Sequence, residues 1–168
     1  PTALGRYFPV SKGVWADAPT FARQLTTALA GMARRAQADA WVAEFKAARS
    51  EFLSRRDAEA VMTAPIQPSG LFKVLRGVLP QDAAVTMDAG TLCLQATDAL
   101  NYHRPGSLFT PLDFGLVGFS FAAGLGIKLA QPDRPVVSLM GDGGFGMTAS
   151  ELSTAVQYGI PTVTLVLN

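Results

Sequence analysis

Hydrophobic side chains recur at helical spacing over the first sixty residues of the chain. One set follows Asp17 and Pro19 and predicts an amphipathic helix over residues 18–30, with Gly31 just beyond its end. A second helix is predicted over residues 37–60, because four apolar residues there lie three or four positions apart: Trp41, Phe45, Ala48 and Phe52. Charged residues fill its other face, so we expect the aromatic side chains to pack in the interior and the charges to face solvent.

A proline-rich break separates these helices from the rest of the chain. Residues 64–69 contain Pro65 and Pro68, and proline cannot continue a helix. We therefore predict a linker over residues 64–69 that joins two domains, one covering residues 1–63 and the other residues 70–168.

After this break, short apolar segments alternate with helical ones. Three strands are predicted, over residues 84–87, 135–140 and 161–168. Four helices surround them, over residues 69–79, 91–100, 116–130 and 149–158, and a polar loop covers residues 101–113. Strands separated by helices of this length form parallel sheets whose two faces are covered. The predicted fold is therefore α/β, a doubly wound parallel sheet preceded by a helical tail.

The composition of the 168 residues excludes several classes of protein. Hydrophobic residues make up 49% and charged residues 16%, which is too apolar for a disordered chain. The formal net charge of +1 does not favour a nucleic-acid partner. The single cysteine, Cys93, excludes an intrachain disulfide framework and a cysteine-based zinc site, so we expect it in the core.

The chain shows no membrane or secretory segment. The uncharged run over residues 114–127 is shorter than the roughly 20 apolar residues that span a bilayer. The first residues lack a basic start followed by an apolar stretch, as a secretory leader would have. We therefore expect a cytoplasmic protein without a membrane partner.

A glycine-rich segment directly after a predicted strand is the strongest candidate for chemistry. Residues 136–140 are mostly apolar, and the next six positions hold four glycines: Gly141, Gly143, Gly144 and Gly146. Glycine permits a sharp turn and leaves backbone N–H groups open to a ligand. Thr148 and Glu151 have the spacing of a capping box, which predicts that a helix begins here. Glycines beside a helix N-terminus predict a site for an anion.

The same glycines match the G-x-G-x-x-G pattern of dinucleotide-binding proteins at Gly141, Gly143 and Gly146. That interpretation requires an acidic residue about 20 positions further on, at the end of the second strand, to bind the ribose hydroxyls. The second strand ends instead at Asn168, and the last acidic residue of the chain is Glu151. The sequence therefore disfavours a nicotinamide cofactor.

Asp142 and Asn168 form a second pattern around the glycines. Both lie at the end of a predicted strand, and a right-handed crossover would place them at one sheet edge, about 5 to 10 Å apart. A carboxylate and an amide oxygen beside an anion site suit a Mg²⁺ ion that also binds a diphosphate and water. Taken singly, Asp142 would be explained as a turn cap and Asn168 as a strand end. As a pair they favour a metal site.

At these residues the sequence resembles a known family. Gly141-Asp-Gly143, followed after 24 residues by Asn168, is similar to the thiamine-diphosphate-binding motif. Three more segments resemble strings of the acetolactate synthase and pyruvate oxidase group: residues 88–90, 115–130 and 131–137. Residues 1–30 resemble the end of that group's central α/β domain. The resemblance implies a piece of a longer chain, with the end of a central domain, a linker and the first part of a diphosphate-binding domain.

The resemblance also implies which residues bind the cofactor and the metal. Asp142 and Asn168 would bind Mg²⁺, and the backbone N–H groups of Gly143 and Gly144, next to Gly141, would bind the diphosphate.

A second group of residues would complete the cofactor site. Gly90 and Thr91 would reach the same diphosphate from a neighbouring loop, although Thr91 equally suits an ordinary helix cap. Gly115 would offer its carbonyl oxygen to the aminopyrimidine, and Val117 would hold the cofactor in its bent form. No catalytic side chain is assigned in this chain. His103, the only histidine, is expected to be an exposed loop residue.

The implied activity is Mg²⁺-dependent thiamine diphosphate chemistry on 2-oxo acids, in an acetolactate synthase-like enzyme that decarboxylates them and joins carbon chains. A 2-oxo-acid decarboxylase or an aldehyde lyase of the same superfamily is the alternative, and a non-catalytic phosphate-binding module is a second. Thr91-Leu92, Val117 and Ala122 depart from the residues usual in acetolactate synthases, so the subclass stays open. FAD occurs in the group, but nothing in this segment indicates it.

The family further implies a partner subunit. A glutamate on a separate pyrimidine-binding domain, usually supplied by that subunit, activates the cofactor. We therefore expect a homodimer or homotetramer that acts on a small 2-oxo acid or aldehyde and binds no nucleic acid. The chain by itself is predicted to be an inactive half-site.

Overall fold

The structure, a computed structural model, describes residues 4–33, 35–60, 64–111 and 113–168. Its elements in chain order are α1 (Ala18–Leu29), α2 (Ala36–Glu59), α3 (Pro68–Val78), β1 (Ala84–Met87), α4 (Thr91–Ala99), β2 (Leu108–Phe109), α5 (Ser120–Ala130), β3 (Val136–Gly141), α6 (Asp142–Thr148), α7 (Glu151–Gln157) and β4 (Val163–Leu167). The chain divides into two compact units, Pro1–Arg49 and Ser50–Asn168. The division falls inside α2, ahead of the predicted linker. The assignment of residues 1–63 and 70–168 to two domains stays a prediction, and residues 1–3 and 61–63 lie outside the described part.

The first unit contains α1 and most of α2, close to the predicted bounds. Asp17 caps α1, since its Oδ1 accepts hydrogen bonds from the Thr20 hydroxyl at 2.6 Å and the Thr20 N–H at 3.0 Å. These bonds, the side-chain bond first, lower the pKa of the Asp17 carboxyl. The cap explains why the helix begins directly after this residue.

The aromatic side chains of α2 are exposed, so the prediction that they pack in the interior is wrong for the described part of the chain. Trp41 is 65% exposed, and Phe45 and Phe52 are also exposed. Trp41 and Phe45 stack on each other with ring centroids 5.8 Å apart. Helical spacing identifies an apolar face, but burial depends on whether another element covers that face.

The second unit contains a parallel four-stranded sheet in the order β2-β1-β3-β4. Val137 and Leu139 of β3 join a core cluster with α3 and α4, whereas Met140 joins Phe121 of α5 in a second cluster. Alternate residues of a strand face opposite sides of a sheet, so helices cover both faces. The predicted α/β fold and doubly wound parallel sheet are confirmed. Cys93 is buried in the first cluster, as predicted.

The structure corrects three predicted elements. Residues 101–113 contain the short strand β2, and α5 begins four residues later than predicted, at Ser120. The predicted helix 149–158 is present as α7 (Glu151–Gln157), but the glycine-rich segment before it is itself helical, as α6 (Asp142–Thr148). Glycine has low helix propensity, so the local sequence favoured a turn where the tertiary structure selects a helix.

The predicted capping box of Thr148 and Glu151 is also wrong. The Thr148 hydroxyl donates to the carbonyl oxygen of Gly144 at 3.4 Å, inside α6. Glu151 is the first residue of α7, and its carboxylate accepts from the Thr154 hydroxyl at 2.8 Å. The spacing is right, but α7 begins at Glu151 with Ser150 at the N-cap position, which is later than a box at Thr148 requires.

A buried group of hydroxyls holds α5 against the sheet. Thr86 Oγ1 donates to the Ser120 carbonyl at 2.8 Å and lies 2.9 Å from Ser138 Oγ. A Cβ on Gly124 would overlap Ser138 Oγ, so α5 approaches the sheet more closely than a residue with a side chain would allow. α5 therefore packs closely on β1 and β3.

Tyr102 packs against the first core cluster, and its hydroxyl has no hydrogen-bond partner among the described residues. Burial, reinforced by Cys93 and opposed by Arg76, raises the pKa of Tyr102 from 10.0 to about 12. Above pH 10 the unfolded chain loses this proton while the folded protein retains it, so stability falls as the pH rises toward 12.

We expect Tyr102→Phe to reduce this loss of stability at high pH and to leave stability at pH 7 nearly unchanged. The free energy of unfolding in urea, measured at pH 7 and at pH 11, checks this, and Tyr158→Phe at an exposed position is the control. An equal loss of stability between the two pH values in both variants would contradict the prediction.

Candidate functional site

The predicted site residues gather at the carboxyl edge of the sheet. Gly141, the last residue of β3, pairs with Leu167, the last residue of β4. Asp142 and Asn168 are the next residues on these two strands, and neighbouring strands are about 4.8 Å apart. The structure therefore brings Asp142 and Asn168 together, and both are exposed.

This edge offers oxygen ligands of two kinds. Among the residues that the structure describes, no group of three or more His, Cys, Asp and Glu side chains could hold a metal ion. A cation here would bind the carboxylate of Asp142 and the amide oxygen of Asn168 and take its remaining ligands from elsewhere. Hard oxygen ligands of this kind suit Mg²⁺, which usually keeps water and phosphate oxygens in its coordination shell.

The first turn of α6 lies directly beside these two residues. The helix begins at Asp142, so the N–H groups of Gly143 and Gly144 fall in its first turn. The first four N–H groups of an α-helix have no acceptor within the helix. The glycines that predict an anion site therefore lie at a helix N-terminus and not in a loop.

Gly144 is a glycine because of its neighbour Asp88, the residue directly after β1. A Cβ at position 144 would overlap Oδ2 of Asp88 and would lie 3.3 Å from Cγ1 of Val117. Gly144 is itself buried, whereas Gly143 and Gly146 have nothing within 4 Å of a Cβ. Of the three glycines within α6, only Gly144 is therefore required by packing.

Asp88 follows β1 and is only 2% exposed. Its Oδ2 accepts from the Gly118 N–H at 2.9 Å, and its Oδ1 accepts from the Ser120 N–H at 2.6 Å. Asp88 belongs to one of the family-like segments of the sequence, and no role is predicted for it there. An acidic residue directly after a mostly apolar strand was the available signal.

The loop that precedes α5 crosses this edge of the sheet. The Ala89 N–H donates to the Leu116 carbonyl at 3.0 Å, which ties the loop to the end of β1. Gly115 and Gly118 have φ values of +67° and +86°, a conformation that favours glycine. The loop presents Val117, 46% exposed, beside Gly144.

The remaining predicted residues divide between the two edges of the sheet. Gly90 and Thr91 follow β1 at the same carboxyl edge, with Gly90 at φ +120°. Gly90 is the N-cap residue of α4 and Thr91 its first residue, so Thr91 is not the helix cap. His103 is exposed in the segment that leads into β2, and it therefore lies toward the opposite, amino edge.

No helix of the described residues has both the length and the apolar character needed to cross a membrane.

Known proteins match almost the whole length of this chain. Sulfoacetaldehyde acetyltransferase of Castellaniella defragrans is 29% identical over 98% of this chain and 31% of its own length. An acetolactate synthase large subunit of Mycobacterium tuberculosis is 31% identical over 95% of this chain and 28% of its own. The chain thus spans about a third of the length of these relatives.

A solved structure resembles part of this chain. The thiamine diphosphate-dependent 4-hydroxybenzoylformate decarboxylase of Rhodococcus jostii RHA1 aligns with a TM-score of 0.57 and 33% identity, over 61% of this chain and 19% of that protein. Residues 88–168 match the family model described as "Thiamine pyrophosphate enzyme, C-terminal TPP binding domain". The matched segment begins at Asp88 and includes α5, α6 and the paired strands β3 and β4. These residues therefore belong to the thiamine pyrophosphate enzyme family, as its C-terminal TPP-binding domain.

Proposed function

We propose that this chain binds thiamine diphosphate through Mg²⁺ and supplies the diphosphate-binding half of an active site for 2-oxo acids. The observation that carries the proposal is the pairing of Gly141 with Leu167, which places Asp142 and Asn168 side by side at the ends of hydrogen-bonded strands. The first turn of α6 provides N–H groups at the same point. A cation ligand pair next to a helix N-terminus suits a metal-bound diphosphate.

The other residues of the edge have distinct proposed roles. Gly143 and Gly144 donate N–H groups to the diphosphate, and Gly90 and Thr91 approach it from the end of β1. Gly90 carries no side chain, which leaves room for the diphosphate to approach the backbone closely. These roles support binding and orientation, and none of them transfers a proton.

The loop before α5 is proposed to bind the rest of the cofactor. Gly115 offers a carbonyl oxygen to the aminopyrimidine, and Val117, partly exposed and next to Gly144, supports the bent form. A bound thiamine diphosphate supplies a nucleophilic carbon and an electron sink for carbon–carbon bond chemistry. The chain's own part is to hold the cofactor and to exclude water from one side of it.

The reaction we favour is decarboxylation of a 2-oxo acid followed by joining of two carbon chains. A 2-oxo-acid decarboxylase or aldehyde lyase is the alternative, and the names of the relatives include both a synthase and a decarboxylase. A pyrimidine-binding domain of a partner subunit completes the site in this proposal. The assembly would be a homodimer or homotetramer.

Calorimetric titration of the protein at its natural full length with thiamine diphosphate tests the proposal. We expect binding at least about tenfold tighter in excess Mg²⁺ than in EDTA, because without the cation the diphosphate charges face the Asp142 carboxylate. Titration with NAD is the control and is expected to show no binding. Equal affinity in Mg²⁺ and EDTA would favour a non-catalytic phosphate-binding module, and binding of NAD alone would favour a dinucleotide site. Either result contradicts the proposal.

A further inference from the structure

Asp88 is a buried acid that the proposed cofactor contacts do not use. Its carboxylate is 2% exposed, and a buried charge is costly unless hydrogen bonds stabilise it. The described partners of this carboxylate are two backbone N–H groups, those of Gly118 and Ser120. Both come from a segment about thirty positions later in the chain. The carboxylate therefore joins the end of β1 to a segment that is distant in the sequence.

These two N–H groups mark the junction between the Val117 loop and α5. Ser120 is the first residue of α5, and Phe119, at the N-cap position, has no side-chain oxygen to cap it. Asp88 takes over that role from the end of β1, and its negative charge also suits the positive end of the helix dipole. The Gly118 N–H, one residue before the cap, is held by the other carboxylate oxygen. The loop cannot shift relative to β1 without breaking one of these bonds.

The same carboxylate also contacts α6. Oδ2 of Asp88 occupies the space that a side chain at Gly144 would need. Cγ1 of Val117 lies 3.3 Å from that same Cβ position. Asp88 therefore touches the first turn of α6 on one side and bonds the Val117 loop on the other. Its size and its two acceptor oxygens fix how far apart these two segments lie.

We propose that Asp88 is a positioning residue that sets the spacing between the Val117 loop and the first turn of α6. The inference rests on the proposed function, because these segments are the ones assigned there to the aminopyrimidine and the diphosphate. Asparagine has nearly the same shape, but its NH₂ group cannot accept a hydrogen bond. Asp88→Asn therefore loses one of the two bonds and turns a donor toward a backbone N–H.

The test compares Asp88→Asn with Ser138→Ala in the protein at its natural full length. Ser138 is equally buried and its hydroxyl bonds near the start of α5, yet it accepts from neither Gly118 nor Ser120 N–H. Thiamine diphosphate affinity is measured in saturating Mg²⁺, at a temperature where circular dichroism shows both variants folded. We expect Asp88→Asn to bind about 10- to 100-fold more weakly, while Ser138→Ala stays within about twofold of the unaltered protein.

Three results would contradict different statements. Unchanged affinity in Asp88→Asn overturns the role of Asp88, and so does an equal loss in Ser138→Ala, which would indicate general destabilisation. Absence of binding by the unaltered protein would instead overturn the proposed function.

A second measurement does not depend on whether a variant folds. Amide hydrogen exchange of Gly118 and Ser120 in the unaltered protein is expected to be slow, although a loop and a first helical turn normally leave such groups unprotected. Exchange at the rate of free amides would show that Asp88 does not hold the loop, and would overturn the inference.

Discussion

Asp142→Ala is expected to weaken Mg²⁺-dependent binding of thiamine diphosphate by about 100-fold, equivalent to about 2.8 kcal/mol. Asp142 supplies the one carboxylate that this edge of β3 and β4 offers to a cation, among the residues that the structure describes at the strand ends. Its removal leaves the amide of Asn168 as the remaining side-chain ligand of the pair. The loss should appear in Mg²⁺ and not in EDTA, because the carboxylate acts through the metal. Calorimetric titration of the protein at its natural full length measures both conditions.

Asp133→Ala is the matched control for this substitution. Asp133 is also exposed and also lies next to β3, but it precedes the strand and therefore sits at the opposite edge of the sheet. Asp133→Ala changes the net charge by the same amount without touching the proposed site, so we expect the affinity for thiamine diphosphate to be unchanged. Equal affinity of Asp142→Ala and the unaltered protein would overturn the metal assignment. Equal losses in the two variants would show that only the overall charge matters.

Gly144→Ala is expected to destabilise the fold by about 1–3 kcal/mol, because the added methyl group must displace the buried carboxylate of Asp88. That carboxylate accepts two hydrogen bonds and cannot rotate away without breaking them. The backbone of Gly144 has no positive φ, so the cost is steric and does not come from backbone strain. Thermal unfolding followed by circular dichroism measures the change.

Gly146→Ala provides a control within the same helix. A Cβ at Gly146 meets nothing within 4 Å, so alanine there should be tolerated and should stabilise α6 by about 0.4–1 kcal/mol. The two substitutions add the same atoms to the same helix and are expected to act in opposite directions. A similar unfolding midpoint for both variants would contradict the packing of Asp88 against Gly144.

Much of the site could be predicted from the sequence because its signals are local. The apolar run of β3, the residues that follow it and the strand before Asn168 lie within one short segment. The handedness of crossovers in parallel sheets then brings the two strand ends to one edge. The register of Gly141 with Leu167 agrees with that expectation. The fold class follows from the same alternation of strands and helices.

The errors of sequence-based prediction concern features that depend on distant contacts. The glycine-rich segment was expected to be a turn, and it is a helix that packs against Asp88 and Val117. The stripe of aromatic residues on α2 was expected to be buried, and Trp41 is exposed. In each case the local pattern was correct, but the conformation or the burial of the segment depends on contacts with residues that are distant in the chain.

By itself, the sequence determined the α/β class and the placement of Asp142 and Asn168 at one edge of the sheet. These follow from periodicity and chain order, which act over a few residues. Only the tertiary structure decided that Asp88 caps α5 and that Gly144 must be glycine. Those contacts join residues about thirty to sixty positions apart. Close packing between separate elements brings these residues together, and no local pattern encodes it.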